Sequence, residues 1–281
     1  MKRRMPTIAL AQIKYNHTGR HNVDRIKKYI VLAAEKKADI VCFPETCINK
    51  SQKLPLNHKL IKEIQETCKN HSIWAIITDN FISKGTHYKM AILIDREGKI
   101  KGKYKKIHLY GDGVKENGKR IFVKDTDFGK IGIVICWDLA FPKLFRKMKK
   151  AGAEIVFCPS YWGYEAKAHK ENPKHNELNL LKSMLLSRAF ENLNFVCVCN
   201  PYKEEWDLID YSAIASPHKI LAELYDKEGL VVSKVNLNEI EKFAKLYPGK
   251  NPEEEKWIAN KIEILNAANF ILFFQFLKTF K

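Results

Sequence analysis

The sequence predicts an α/β protein in which a mixed β-sheet core is layered with helices. Segments with the helical spacing of apolar residues alternate with short apolar runs in both halves of the chain. The run Ile40–Phe43 is apolar throughout, which is typical of a strand buried on both faces. The turn Arg96-Glu97-Gly98-Lys99 between two apolar runs indicates a hairpin, so antiparallel strands are expected as well.

The elements follow one another in a regular order. The first strand is Thr7–Gln12, and a helix spans 22–37 because Val23, Ile26 and Ile30 share one face. The first half continues with strand 40–43, helix 58–70, strand 74–78, and the hairpin strands 90–95 and 100–106. The second half contains strand 130–135, helix 142–151, strand 155–158, helix 176–192, and strands 195–199, 211–216, 221–223 and 230–235. This periodicity alone does not separate a doubly wound sheet from a four-layer sandwich.

The chain shows no low-complexity linker and no short-period repeat, so residues 1–281 are predicted to form one domain. Segment 251–281 takes no part in any motif, and its apolar run Phe270–Phe274 suggests an arm for packing or oligomerisation. That run is too short to span a bilayer, and too few apolar residues follow Met1–Arg4 for a signal peptide. We therefore expect a cytoplasmic protein with no membrane partner.

The composition is strongly basic, with 49 Lys and Arg against 32 Asp and Glu and a net charge of +17. The lysines are scattered, and no zinc-finger, RNA-recognition or helix-turn-helix pattern occurs. We interpret the charge as a solvated surface that favours anionic ligands, with a nucleic-acid partner as the alternative. None of the seven cysteines lies in a CxxC pair, which is typical of core thiols kept reduced in a cytosol.

Three segments each supply one reactive side chain at the end of an apolar, strand-like run. Phe43-Pro44-Glu45 supplies a carboxylate. Tyr104–Leu109 supplies the ammonium of Lys106, and Ile131–Asp138 supplies the thiol of Cys136. A thiol nucleophile, a base and a cation for a developing oxyanion form a complete set for acyl transfer.

Each of these residues also has a plainer interpretation. Cys136 precedes a turn and a helix start, which favours a thiolate, but free cysteines are often core residues. Glu45 is either solvated on a loop or held in a cleft, where desolvation makes it a better base. Strand alternation puts Lys106 on the face opposite Lys105, so one can point inward while the other is solvated. His108 shares the parity of Lys106 and is a candidate base or a structural hydrogen-bonding residue.

Together and in this order, the three segments resemble the nitrilase, or carbon–nitrogen hydrolase, superfamily over nearly the whole chain. The segment Ser187–Asn192 looks like the family's Arg-Ala-x-Glu-Asn helix. The other stretches that carry the resemblance are Ile8–Gln12 with Asn22, Ala38–Glu45, Gly102–Leu109, Gly132–Pro142, Asn200, and the hairpin Ser212–Leu221.

The resemblance implies a four-layer αββα sandwich with mixed sheets, which usually forms a homodimer, and it implies no metal and no cofactor. By position it makes Glu45 the general base, Lys106 the oxyanion stabiliser and Cys136 the nucleophile. It also suggests Glu116 as a second catalytic glutamate. The sequence departs from the common pattern at Lys143, where a Glu is frequent, and near Lys89, where an Asn is common.

These features predict an amidase that cleaves a small-molecule amide or carbamoyl amide through a cysteine thioester and releases ammonia or an amine. The backbone N–H of Trp137 is expected to join Lys106 at the oxyanion. The alternatives are nitrile hydrolysis by the same residues, N-acyl transfer, and an inactive binding protein with this fold. The Cys-Trp-Asp sequence at Cys136 looks more like the amidase branch than like the true nitrilases.

The substrate itself is not specified by the sequence. Trp137, Tyr161 and Trp162 are candidate substrate-binding residues, because they lie in loops near the expected pocket, as does Tyr164. Aromatic residues there favour a substrate with an apolar or stackable portion, or they serve only to pack the core.

Overall fold

Two β-sheets, accompanied by helices, make up the part of the chain that the computed structural model describes. The described residues are 5–15, 19–49, 53–114, 116–164, 166–203 and 208–247. The chain divides into two compact units, residues 1–240 and residues 241–281, and of the second unit only 241–247 is described. The predicted arm, 251–281, lies outside the described residues, and the single-domain prediction stays a prediction.

The two sheets take their strands from the two halves of the chain, with one exception. The first sheet contains β1 (Thr7–Gln12), β2 (Ile40–Cys42), β3 (Leu54–Pro55), β4 (Trp74–Ser83), β5 (Thr86–Ile94), β6 (Ile100–Lys105) and β13 (Gly229–Lys234). Its order is β13-β1-β2-β4-β5-β6, with β3 beside β4. The second sheet contains β7 (Phe122–Thr126), β8 (Gly129–Ile133), β9 (Ile155–Pro159), β10 (Phe195–Cys199), β11 (Tyr211–Ala215) and β12 (Ile220–Tyr225). It runs in the order β12-β11-β10-β9-β8-β7.

Both sheets are mixed. In the first, β1, β2 and β4 are parallel neighbours, whereas β13, β5 and β6 join antiparallel. In the second, β8, β9 and β10 are parallel and the outer strands are antiparallel. The helices are α1 (Gly19–Glu35), α2 (Lys59–Asn70), α3 (Pro142–Lys150), α4 (Pro173–Asn192) and α5 (Asn238–Leu246). None of the helices in the described ranges is both long enough and apolar enough to cross a membrane.

The alternation of side chains along β1 shows how the layers are built. Ile8 and Leu10 join the core cluster that also contains the strands of the second sheet. Ala9 and Ala11 point the other way, into a cluster with residues of α1 and α2. Residues of α3 and α4 pack on the second sheet. The order is therefore helices, sheet, sheet, helices, and the αββα prediction is confirmed.

Most predicted elements are present with small shifts at their ends. The helix predicted at 176 begins at Pro173, since a proline is favourable in the first turn of a helix. Sequence reasoning missed β3, β7 and α5. Strand β7, Phe122–Thr126, has mixed polar and apolar residues because it is an edge strand that stays partly exposed.

Candidate active site

The three reactive side chains of the sequence analysis leave three different strands and meet in one cavity. Glu45 follows β2, Lys106 follows β6 directly, and Cys136 follows β8. The first two strands belong to one sheet and the third to the other. All three residues line a cavity of about 330 Å³. The site is therefore assembled between the ends of strands from both sheets.

Lys106 holds the centre of this cluster. Its side chain is 1% exposed, and its ammonium lies 3.1 Å from Glu45 Oε1 and 3.0 Å from each carboxylate oxygen of Asp112. Lys105 points to the other face, where its ammonium lies 3.3 Å from the centroid of the Tyr88 ring. The two neighbouring lysines thus take the opposite directions that strand alternation predicts.

Cys136 stands at a sharp turn. It has a φ of +46°, a left-handed conformation that side chains other than glycine rarely adopt, and it begins a short 3-10 helix, Cys136–Ala140. Its sulfur lies close enough to the Glu45 carboxylate and to the backbone N–H of Tyr161 for both groups to affect the pKa of the thiol, and Cys136 and Glu45 line the same cavity. A strained turn that presents a nucleophile between a strand and a helix is the geometry of a nucleophile elbow.

Burial and charge set the protonation states of the three groups. Burial and the negative charge of Glu45 raise the pKa of the Cys136 thiol well above its ordinary value, with Lys106 opposing them. Burial alone raises the pKa of Glu45, but the charges of Lys106 and Lys89 outweigh it, so the pKa is lowered. Burial lowers the pKa of Lys106, but Glu45, Cys136 and Asp112 outweigh it, so the pKa is raised. The resting cluster is a thiol beside an ionised carboxylate and an ammonium.

The second carboxylate at Lys106 comes from Asp112 and not from Glu116. Glu116 is exposed and lines a different groove with Tyr88 and Lys103, so the structure does not bring it to Cys136. Asp112 reaches Lys106 because Gly111 and Gly113 have positive φ values of 59° and 65°, which turn the loop tightly. The Gly-Asp-Gly sequence that follows Lys106 is the signal that could have identified this residue.

A buried aspartate ties the lysine segment to the cysteine turn. Asp138 is fully buried and accepts hydrogen bonds from the Tyr104 hydroxyl at 2.7 Å and from the backbone N–H groups of His108 and Ile135 at 2.9 and 3.1 Å. The Nδ1 atom of His108 also lies 2.9 Å from Asp138 Oδ1, and its ring stacks on Phe141. His108 is therefore held as a structural residue at this position.

The aromatic candidates fall into two groups. Tyr161 lines the cavity. Trp162 is buried, and its indole N–H donates to Glu177 at 2.8 Å, so it packs the core behind the site. Trp137 is half-buried, with its ring 5.0 Å from Tyr110 and 5.8 Å from Trp162, and it is not among the residues that line the cavity.

Other stretches of the resemblance hold the surrounding loops. Arg188 on α4 donates to the carbonyl of Leu139 at 2.9 Å and so fastens the turn that carries Cys136. Asn200 accepts from the backbone N–H of Trp162 at 2.9 Å. The cavity is completed by residues that sequence reasoning did not select, namely Thr46, Asn80, Lys89, Tyr110, Gly111, Asp112 and Gly113. Among the described residues, no three His, Cys, Asp or Glu side chains gather in a way that could hold a metal ion.

Comparisons with known proteins agree with this geometry. A family model for carbon–nitrogen hydrolases matches residues 7–245. The deaminated glutathione amidase of Dictyostelium discoideum is 27% identical over 227 residues, which cover 69% of this chain and 73% of that protein. The 2-oxoglutaramate amidase of Bacillus subtilis is 26% identical over 237 residues, covering 77% and 86%. Nit3 of Saccharomyces cerevisiae, a nitrilase superfamily member of known crystal structure, has the same fold, with a TM-score of 0.75, 20% identity, and coverage of 89% and 97%.

The role of Asp138 in holding two segments together gives a prediction about stability. Asp138→Asn replaces one acceptor oxygen by an NH₂ group that faces N–H donors, so we expect the free energy of unfolding to fall by about 2–3 kcal/mol. Urea denaturation measures this change. Asp125→Asn is the matched control, because the Asp125 side chain is 82% exposed, and its effect should stay within about 0.5 kcal/mol. Equal effects of the two substitutions would contradict the role given to Asp138.

Proposed function

Because the chain belongs to the carbon–nitrogen hydrolase family, we propose that it hydrolyses a small amide through a thioester on Cys136. The observation that carries the proposal is the buried contact of Lys106 with Glu45 in the cavity that Cys136 also lines. The base, the thiol and the cation are near enough to affect one another's pKa values. Amides are also the substrates in the names of the two related amidases, which supports this bond type.

The first half of the reaction forms the thioester. Glu45 accepts the thiol proton as Cys136 Sγ attacks the amide carbon, and the carbonyl oxygen becomes an oxyanion. The Lys106 ammonium and the backbone N–H of Trp137 stabilise that oxyanion. Glu45 then gives its proton to the leaving nitrogen, the carbon–nitrogen bond breaks, and ammonia or an amine departs.

The second half frees the acid. Glu45 takes a proton from a water molecule, whose oxygen attacks the thioester carbon, and Lys106 again faces the oxyanion. The carbon–sulfur bond breaks, the acid leaves, and the proton held by Glu45 returns to the sulfur. Glu45 thus alternates between base and acid, which its place in the cavity with Cys136 and its ionised resting state support.

The raised thiol pKa makes the adjacent base necessary. A buried cysteine that stays protonated near neutral pH is a weak nucleophile until its proton is removed during attack. The neighbouring ammonium must remain charged in the dry cavity, and the two carboxylates that contact Lys106 keep it so. Asp112 therefore has a supporting role in this proposal, through the charge and the position of Lys106.

We also propose that the protein is cytoplasmic, forms a homodimer or a higher homo-oligomer, and has no nucleic-acid partner. The family resemblance supports the dimer. The cytoplasmic location is supported by seven free cysteines, all buried, which suit a reducing compartment. Cell fractionation followed by immunoblotting tests the location, since recovery in the membrane or secreted fraction would contradict it.

The assembly gives a prediction for the full chain. Light scattering should show a dimer or a larger assembly, because association would cover the apolar residues of the 251–281 segment or of another face. A version truncated after Asn251 separates the two sources of contact. A dimer that persists after truncation would assign the interface elsewhere, whereas a stable monomer in both versions would contradict the proposal.

The nucleophile is tested by substitution and by mass. Cys136→Ala should abolish turnover, because no other thiol adjoins Glu45 and Lys106 among the described residues. Cys197→Ala changes a fully buried strand residue away from the cavity and should retain activity. Intact-mass analysis of the wild type during turnover should show one acyl adduct on Cys136. An adduct on another cysteine would refute the assignment.

The oxyanion role separates Lys106 from its neighbour. Lys106→Met should lower kcat by about a hundredfold or more, the usual loss for one oxyanion donor. Lys105→Met should keep kcat within about threefold of the wild type, because that side chain points away from the cavity. Steady-state kinetics on one amide substrate compare the two variants. A similar loss in both would show that the direction of the lysine does not matter.

The assignment of Asp112, and not Glu116, as the second carboxylate of the site has its own test. Asp112→Asn removes a charge that contacts Lys106 at 3.0 Å, and we expect kcat to fall about tenfold or more because the ammonium loses one of its two anchors. Glu116→Gln should leave kcat near the wild-type value, since that side chain is exposed in another groove. The reverse result would restore Glu116 as the second catalytic carboxylate.

A further inference from the structure

A second lysine lies in the wall of the cavity that contains Cys136. Lys89 is on β5, opposite Asn80 on β4, and its carbonyl accepts a 2.9 Å hydrogen bond from the backbone N–H of Lys106. The side chain of Lys89 is 4% exposed, and both Lys89 and Asn80 line the cavity. The cavity therefore contains two buried ammonium groups from neighbouring strands.

The two ammonium groups differ in their partners. Glu45 and Asp112, the carboxylates that line the cavity, both contact Lys106. Within the described part of the chain, the Lys89 ammonium makes no hydrogen bond and has no carboxylate oxygen within 4.0 Å. The Lys89 nitrogen nevertheless keeps some solvent-accessible surface, so it is not sealed from the cavity.

A third carboxylate, Asp79, is near enough to Lys89 for the lysine charge to affect its pKa, but its oxygens already have partners. It accepts the backbone N–H groups of Ile48, Asn49 and Asn80 at 2.7–2.9 Å. Burial raises its pKa to about 6, with Lys89 acting in the opposite direction from a distance. Asp79 thus lies within electrostatic range of Lys89 without contacting it. A buried cation with no direct counterion is costly, so an anionic ligand in the cavity would be stabilised there.

We propose that Lys89 binds the carboxylate at the far end of an amide substrate, so that the preferred substrates are small ω-amides of dicarboxylic acids. This inference rests on the proposed function of the same cavity. The amide group would face Cys136 and Lys106, and the carboxylate would face Lys89. Lys89 is then a residue that determines specificity, distinct from the oxyanion stabiliser.

The surroundings of the cavity favour this class of ligand. A volume of about 330 Å³ suits a substrate of a few carbons. Glu45 and Asp112 would repel a ligand of higher negative charge, which favours a monoanion. The charges with the largest effect on the Cys136 pKa are those of Glu45 and Lys106, whereas Lys89 acts on Glu45 and Asp79. Lys89 therefore suits the distal end of the substrate better than the reacting carbonyl.

A pair of matched amides provides the kinetic test. Glutaramate carries a carboxylate at the end distant from its amide, and pentanamide has a methyl group there. In the wild type, kcat/KM should favour glutaramate. In Lys89→Met, the ratio of the two kcat/KM values should fall about a hundredfold, mainly through KM for glutaramate, because truncation of one partner of a buried charge pair has effects of this size. Lys89→Arg should recover part of the ratio.

Lys105→Met is the matched control, since it removes a lysine that points away from the cavity. It should leave the ratio at its wild-type value. Thermal melting confirms that each variant is folded, and Lys89→Gln replaces Lys89→Met if the latter is not. A wild-type ratio in folded Lys89→Met would overturn the proposal. An equal loss for both amides would also overturn it and would give Lys89 a general role in catalysis.

A binding experiment keeps this inference separable from the proposed function. Calorimetry measures the affinity of glutaramate for Cys136→Ala, which cannot form the thioester, and for the double variant with Lys89→Met. The dissociation constant should rise by roughly 30-fold or more in the double variant. If the wild type hydrolyses neither amide, the proposed function fails while this comparison still decides whether Lys89 binds the carboxylate. Equal or undetectable affinity in both proteins would refute it.

Discussion

The ammonium of Lys106 between two carboxylates is the interaction on which the rest of the site depends. Removing an ion from water costs several kcal/mol even after relaxation, so a fully buried lysine is stable only with well-placed partners. Glu45 and Asp112 provide them at 3.0–3.1 Å. Each partner comes from a different loop, and the pairing therefore fixes the end of β2, the end of β6 and the following turn relative to one another. The same pairing keeps the ammonium charged beside the nucleophile.

The cysteine turn is locked to that arrangement from the other side. Tyr104 and His108 flank Lys106 at two-residue spacing, and both hydrogen-bond Asp138, two residues after Cys136. Alternation along the chain thus joins one strand end to both the charge cluster and the nucleophile turn. Arg188 fastens the same turn to α4. The left-handed conformation of Cys136 persists because these contacts determine the turn at several points.

The residue pattern was sufficient for the α/β class and for the residues that end apolar strands, whereas the four-layer arrangement was expected only from the family resemblance. Glu45, Lys106 and Cys136 could be selected because each follows a recognisable strand, although their convergence from two sheets required the structure. Asp112 was not selected, and the position of Glu116 outside the cavity was not foreseen, because the position of a loop residue depends on backbone dihedrals. Gly111 and Gly113 set those dihedrals, and periodicity carries no information about them. The exposed edge strand β7 was missed for a related reason, since its apolar pattern is weak.

Two lysines in one small cavity also bear on how binding energy is used. The two carboxylates that line the cavity contact Lys106, which leaves the charge of Lys89 for the ligand. A contact at the distal end of a substrate orients the amide toward the sulfur, and this orientation lowers the entropic part of the barrier to attack. Acid formed in the reaction would carry a second carboxylate near Glu45 and Asp112. Repulsion at that end would favour product release while Lys89 still favours substrate binding.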